Sequence, residues 1–293
     1  MKKKVLVIIL LLSMVVATTS IGCKQESSKG NDTSAEESGK ARTLLEIKED
    51  GKIKIGVFSD KNPFGYVDEN GEIQGYDVYF AKQIGKDLLG SEDLVEFVYV
   101  EAANRVSYLQ SGKVDIILAN FTVTEERKEQ VDFALPYMKV SLGVVSSKDS
   151  LITSIDQLKG KDLIVVKGTT AETYFSKQHP DINLIKFDEY QEAYDALLDG
   201  RGDAFSTDNT EVLAWARQNE GFQVGIETIG SVETIAPAVQ KGNTELLNWI
   251  NEEIKSLGKE QFFHTNFETT LKDVYGDSVV PENLVIEGGV VEE

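Results

Sequence analysis

Arg127 is the residue with the clearest chemistry in the chain, because of what precedes it. Ile116 to Ala119 is a short apolar run of the kind that forms a buried parallel strand. Asn120-Phe121-Thr122-Val123 then turns the chain, and Thr124 is placed to cap a helix whose first turn holds Glu125 and Glu126. Strand, polar loop and helix start make a ligand corner, since ligands of open α/β sheets sit beyond the carboxyl ends of strands. Free N–H groups there favour an anion, and the planar fork of Arg127 suits a carboxylate. A second corner follows Leu163 to Val166: Lys167-Gly168-Thr169-Thr170 offers a glycine for close approach and two hydroxyls at a helix start. Covalent or metal chemistry finds less support. His179 and His264 are far apart and belong to no triad or metal-spacing pattern. No phosphate-binding glycine-rich loop is present, and no cofactor or metal is expected.

The elements that must hold these corners are legible in the pattern of apolar residues. Ile53 to Val57 alternates as a first strand, and Asp68-Glu69-Asn70-Gly71 suits a tight hairpin. Gly75-Tyr76-Asp77 opens a helix to about Leu89, with Phe80, Ala81, Ile84 and Leu88 on one face and Gly90 as a stop. Val95 to Val100 reads as a strand, and Asn104 to Ser111 as a short helix ended by Gly112. Further helices are expected at about Tyr190–Leu198 and Thr210–Arg217. Residues 108–115 are echoed by 197–203: in both, a helix closes on glycine and a strand starts at or beside an aspartate. Ala204 to Thr207 is then a second copy of the Ile116 strand, and Asp208 stands where the first copy places its ligand loop. Two similar α/β units, each with polar residues at a strand end, imply two lobes facing one cleft. Arg201-Gly202-Asp203 spells an adhesion tripeptide, but its aspartate begins a buried strand, so we read it as accidental. The tail from Tyr275 to Glu293 is acidic and reads as a loose wrap.

The chain ends carry other information. Lys2-Lys3-Lys4 followed by the apolar Val5 to Ala17 reads as a signal segment, too short and too differently flanked for an ordinary membrane span. Ser20-Ile21-Gly22-Cys23 resembles a lipobox, in which the cysteine is acylated and becomes the first mature residue; ordinary signal cleavage is the alternative. Cys23 is the only cysteine, so no intrachain disulfide is available. Residues 23–42 lack apolar periodicity and read as a solvated tether to a membrane. The formal net charge of −19 argues against nucleic acid or anionic lipid as a partner.

The block VDIILANFTVTEERKEQVDFALPY, together with GEIQGYDVYFAKQI, resembles the signature of the polar amino-acid solute-binding proteins of ABC importers. The resemblance implies an α/β, two-lobed periplasmic-binding-protein type II fold. Residues 43–137 with 236–293 would form lobe one and 142–231 lobe two, joined by a hinge near 138–141 and 232–235. It implies a monomer that captures a free amino acid by hinge closure and delivers it to a membrane permease with its own ATPase. The protein would lie outside the cytoplasm, on the periplasmic side or outer surface, held by the lipid on Cys23. By resemblance Arg127 holds the ligand α-carboxylate, helped by Thr122 and, across the cleft, by Thr169 or Thr170, while Asp208 receives the α-ammonium; Asn120 is a further expected ligand contact. Asn104-Arg105 is similar to the glutamate- and aspartate-binding branch, which makes Arg105 the expected partner of an acidic side chain; glutamine or cystine is the alternative ligand. Many relatives carry an aromatic residue two or three positions before Pro63, where this chain has Lys61. Phe58, Phe64, Tyr66 or Phe121 would then supply the stacking surface, and Lys61 either lines the pocket or is a solvated lip. A dehydratase on the same fold and a sensory module are the rival readings.

Overall fold

A computed structural model describes residues 39–291. The signal segment, Cys23 and most of the tether lie outside these residues. Thr43 and Glu46 close a capping box on α1 (Leu44–Asp50). The alternating run expected first is β1 (Ile53–Val57), followed by β2 (Asp60–Lys61), β3 (Gly65–Val67) and β4 (Ile73–Gln74). Helix α2 (Tyr76–Leu89) stops at Gly90, whose φ of 94° is left-handed backbone that glycine adopts without strain. Then come β5 (Val95–Tyr99), α3 (Arg105–Gln110), β6 (Ile116–Ile117), the single turn α4 (Glu125–Lys128) and β7 (Val131–Phe133). The second half runs β8 (Met138–Ser147), β9 (Asp162–Val166), α5 (Thr170–Gln178), β10 (Asn183–Phe187), α6 (Tyr190–Leu198), β11 (Ala204–Asp208), α7 (Asn209–Gln218) and β12 (Phe222–Ile235). The chain returns through β13 (Ala238–Gln240), α8 (Thr244–Lys259), α9 (Phe262–Thr270) and α10 (Lys272–Tyr275).

Two five-stranded sheets form the lobes, in the orders β5-β1-β6-β13-β7 and β10-β9-β11-β8-β12, and β2, β3 and β4 form a small third sheet beside the first. In each large sheet four strands run in one direction and one runs against them, β13 in the first sheet and β8 in the second. The first lobe packs the apolar face of α2 on its sheet and on α9: Phe80 meets Phe263 edge to face with centroids 5.0 Å apart, both fully buried. Each such ring removed from water contributes about 1.5–3 kcal/mol. The repeat seen in the sequence has a structural reason. Asp115 and Asp203 each precede a central strand, and each accepts an N–H from the start of a neighbouring one, from Lys54 at 2.8 Å and from Asp162 at 2.9 Å.

Three expectations need correction. The tether does not run solvated to residue 42. Gly39 lies against Gln240, and Arg42 pairs with Asp115 and Asp50, so the last described tether residues are docked on the first lobe. Nor is the tail loose, since Leu284, Val285 and Ile286 are buried, Leu284 O accepts the N–H of Lys139 and Ile286 N–H donates to Tyr137 O at the start of β8. And where short crossing segments were expected, β8 and β12 are long paired strands. Met138, Lys139 and Val140 pair with Ile235, Thr234 and Glu233, so the connection between sheets is a two-stranded ribbon. Among the described residues, no helix is long and apolar enough to cross a membrane.

Candidate functional site

The seam between the two lobes is built around one buried ammonium. Lys61, on β2, is 1% exposed, so the solvated-lip reading is excluded. Its Nζ donates to Asn120 Oδ1 at 3.1 Å, Tyr190 Oη at 3.0 Å and Asp208 Oδ2 at 3.1 Å, and lies 3.0 Å from Glu211 Oε2. The rings of Tyr190, Phe58 and Phe64 surround it at 4.4, 5.4 and 6.0 Å. Asn120 comes from the end of β6 in the first lobe; Tyr190, Asp208 and Glu211 come from α6, β11 and α7 in the second. No donor among the described residues bonds the other oxygen of Asp208, Oδ1.

A second group of cations lies on the same seam. Arg105 is buried, and its guanidinium donates only to carbonyl oxygens: Ala102 at 2.9 Å, Ala119 at 3.1 Å, Asn120 at 3.2 Å and Gly168 at 3.0 Å. Arg127 donates to the carbonyls of Thr122 at 2.7 Å and Gly168 at 2.9 Å. The ring of Phe121 lies 4.4 Å from one guanidinium and 4.7 Å from the other. Gly168 has φ +74°, and a Cβ there would sit 2.4 Å from Ala103 Cα across the seam, so this approach needs glycine. Beside Arg127 a cavity of about 490 Å³ is lined by Phe121, Thr124, Thr170 and Glu233 among others.

The expected site residues therefore fall into two joined groups. Lys61, Asn120 and Asp208 form one, Arg127, Thr122 and Thr170 the other, and Arg105 bonds to both sides. Thr169 differs from expectation: its hydroxyl donates to Val166 O and accepts from Glu172 N–H, so it is committed to capping α5. Phe64 is fully buried in the first-lobe core beneath Lys61 rather than offering an open stacking face. Arg105 differs most, since four backbone carbonyls occupy the guanidinium that was expected to meet an acidic side chain. Three residues were missed. Asp77 accepts Asn120 N–H at 2.7 Å and Tyr137 O–H at 2.6 Å, and so holds the corner after β6, where Asn120 sits at φ 44°. Its signal was present in Gly75-Tyr76-Asp77. Tyr190 and Glu211 had no local signal, because only the packing of the lobes brings them to Lys61.

Electrostatics separates these cations. Burial works against the Lys61 charge, but Asp208 and Glu211 outweigh it and hold the ammonium pKa above the ordinary lysine value. Two carboxylates share that ammonium, and burial pushes Glu211 up to about 7 despite Lys61. Burial likewise raises Asp77 to about 6 against its hydrogen bonds. Burial and then the neighbouring Arg105 push Arg127 down to about 9. It stays charged at neutral pH as a cation short of an anion.

Two α/β lobes joined by a paired-strand ribbon, with charged side chains of both on their seam, are the architecture of a type II periplasmic binding protein. The chain belongs to the bacterial extracellular solute-binding proteins, family 3, whose profile matches residues 53–268. The glutamine-binding protein of a Bacillus subtilis ABC transporter is 35% identical over 248 residues, 84% of this chain and 90% of that protein. Among solved structures, a solute receptor for L-cysteine from Neisseria gonorrhoeae is 58% identical, with a TM-score of 0.83 over 84% of this chain and 100% of that one. A cysteine-binding protein from Campylobacter jejuni is 54% identical, with a TM-score of 0.82 over 83% and 98%. All three are named for the amino acid they bind.

The raised Glu211 carboxyl makes a prediction about pH. Its native pKa of about 7 exceeds its ordinary 4.5, so the stability it confers is full below about 4.5 and is lost as pH rises through about 7. Glu211→Gln cannot ionise. Between these limits, urea unfolding should move in the variant's favour by on the order of 3 kcal/mol relative to wild type. A difference independent of pH would contradict the assignment.

Proposed function

We propose that this protein captures a small neutral amino acid outside the cytoplasm, L-cysteine before others, and presents it in the closed form to an ABC permease driven by its own ATPase. The observation that carries the ligand reading is the state of the three seam cations. Lys61 is matched by two carboxylates and Arg105 by four carbonyls, which leaves Arg127 as the cation in need of an anion. Asp208 Oδ1 is the matching acceptor for a cation. One carboxylate and one ammonium are the charges of an amino-acid backbone. An acidic side chain would bring a further charge into the seam with no partner, and an unpaired buried charge is costly. That geometry favours a neutral ligand over the glutamate or aspartate suggested by Asn104-Arg105.

The similarity to the two cysteine-binding proteins supports cysteine within the neutral class. Glutamine is the second reading, supported by the Bacillus subtilis relative. We assign to Thr122, whose carbonyl accepts from Arg127, and to Thr170, which lines the same cavity, the role of assisting Arg127. The β8–β12 ribbon is the proposed hinge, with the lobes divided near residues 138–141 and 232–235. We further propose that acylated Cys23 holds the protein to the membrane; the mature N-terminus should carry acyl mass, and an unmodified cysteine there would refute the anchor.

A thermal-shift panel of the common amino acids under reducing conditions tests the ligand. A hundredfold excess over the dissociation constant adds about 2.7 kcal/mol, roughly 5–10 °C for a domain of this size. L-cysteine should give the largest shift, and Arg127→Ala should abolish it. A larger shift with glutamate or aspartate would overturn the neutral-ligand reading.

A further inference from the structure

We infer that Asp60 and Lys61 form a latch that closes the cleft through protein contacts alone, ahead of any contribution from ligand. The inference deepens the proposed binding function and rests on it for the identity of the ligand only. The two residues are the whole of β2 and belong to the first lobe. Successive strand residues point to opposite faces, and here each side chain finds a different target on the second lobe. Asp60 Oδ2 accepts the N–H groups of Tyr190 at 2.7 Å and Gln191 at 3.3 Å, the first two residues of α6. The N-cap position of that helix is Glu189, which makes no side-chain cap bond, so α6 takes its cap from the opposite lobe. The carboxylate also meets the positive end of the helix.

Lys61 does the corresponding work on the other side of Tyr190. Its ammonium bonds Asp208 and Tyr190 and pairs with Glu211, three residues from three elements of the second lobe. If the lobes part, the α6 amides lose their acceptor, and two carboxylates buried by the seam lose their cation. The dipeptide therefore couples two independent penalties to opening. Lys61 takes one oxygen of Asp208, so the latch and an incoming ammonium do not compete for the same atom. A ligand then meets a cleft already biased toward closure, and the latch acts chiefly on how slowly the ligand leaves. Lys61 and Asp60 are positioning residues in this account, acting through Asp208 and α6.

Hydrogen exchange in the full chain without ligand reads the latch directly, because Asp60 protects the amides of Tyr190 and Gln191 only when the lobes are together. A peptide containing both should exchange slowly in the wild type and at least tenfold faster in Asp60→Ala and in Lys61→Met. The β9 peptide should be unchanged, and L-cysteine should restore protection in Lys61→Met, where the Asp60 acceptor is intact. Fast exchange at α6 in the ligand-free wild type, or slow exchange in both variants, would overturn the latch. Should Lys61→Met also expose β9, Asp60→Ala decides alone, since it leaves the buried charges in place. It is then read by small-angle scattering without ligand: a radius of gyration larger than wild type supports the latch, and an unchanged one overturns it. Failure of L-cysteine to restore protection, with the other results as expected, would count against the ligand and in favour of the latch.

Discussion

A single ammonium enclosed by two carboxylates sets the terms for the rest of this molecule. Taking Lys61, Asp208 and Glu211 out of water costs several kcal/mol for each ion, and their attraction offsets this only if every partner is in place. The partners are supplied by elements distant in sequence: β2, the end of β6, the start of α6, and the junction of β11 with α7. No one lobe contains the set. The seam is therefore a condition of the cluster's stability as well as a consequence of the fold.

The surrounding features follow from that requirement. Asn120 must present its side-chain oxygen to Lys61 while turning the chain sharply after β6, and Asp77 fixes it there by accepting its N–H. Arg105 binds the carbonyls of Ala119 and Asn120 on its own lobe and that of Gly168 on the other, stiffening the same corner. The shared carbonyl of Gly168 brings Arg127 and Arg105 close together around Phe121, and burial, followed by their mutual repulsion, lowers the Arg127 pKa. The protein thus satisfies two of its three seam cations internally. The third, Arg127, is the one we propose meets the carboxylate of the ligand.

Much of this was legible in sequence where the signal is local. The α6 boundaries follow from apolar spacing, the Thr124 cap from its place before two glutamates, and the strand-starting aspartates from the repeat. The corner carrying Arg127 could be found in the same way. What escaped were properties set by partners far along the chain. An arginine at position 105 looks like a ligand for an acid until the carbonyls of residues 102, 119, 120 and 168 converge on it. A lysine in the place of an aromatic reads as either pocket lining or a solvated lip until α6 and α7 are seen to cover it. The strands β8 and β12 escaped for a different reason: their pairing shifts register three times between Val224 and Glu233, which breaks the alternation that would reveal them.

The central claim is that Lys61 is a permanently charged, carboxylate-bound cation at the seam, and lysine side-chain nuclear magnetic resonance tests it most directly. The Lys61 resonance, assigned by its loss in Lys61→Met, is followed from neutral pH upward. Ordinary lysines lose their proton near pH 10.4. The account predicts that Lys61 stays protonated after the exposed lysines have titrated, as long as the fold persists. Titration of Lys61 at or below the ordinary value would show that burial outweighs Asp208 and Glu211, and would contradict the account.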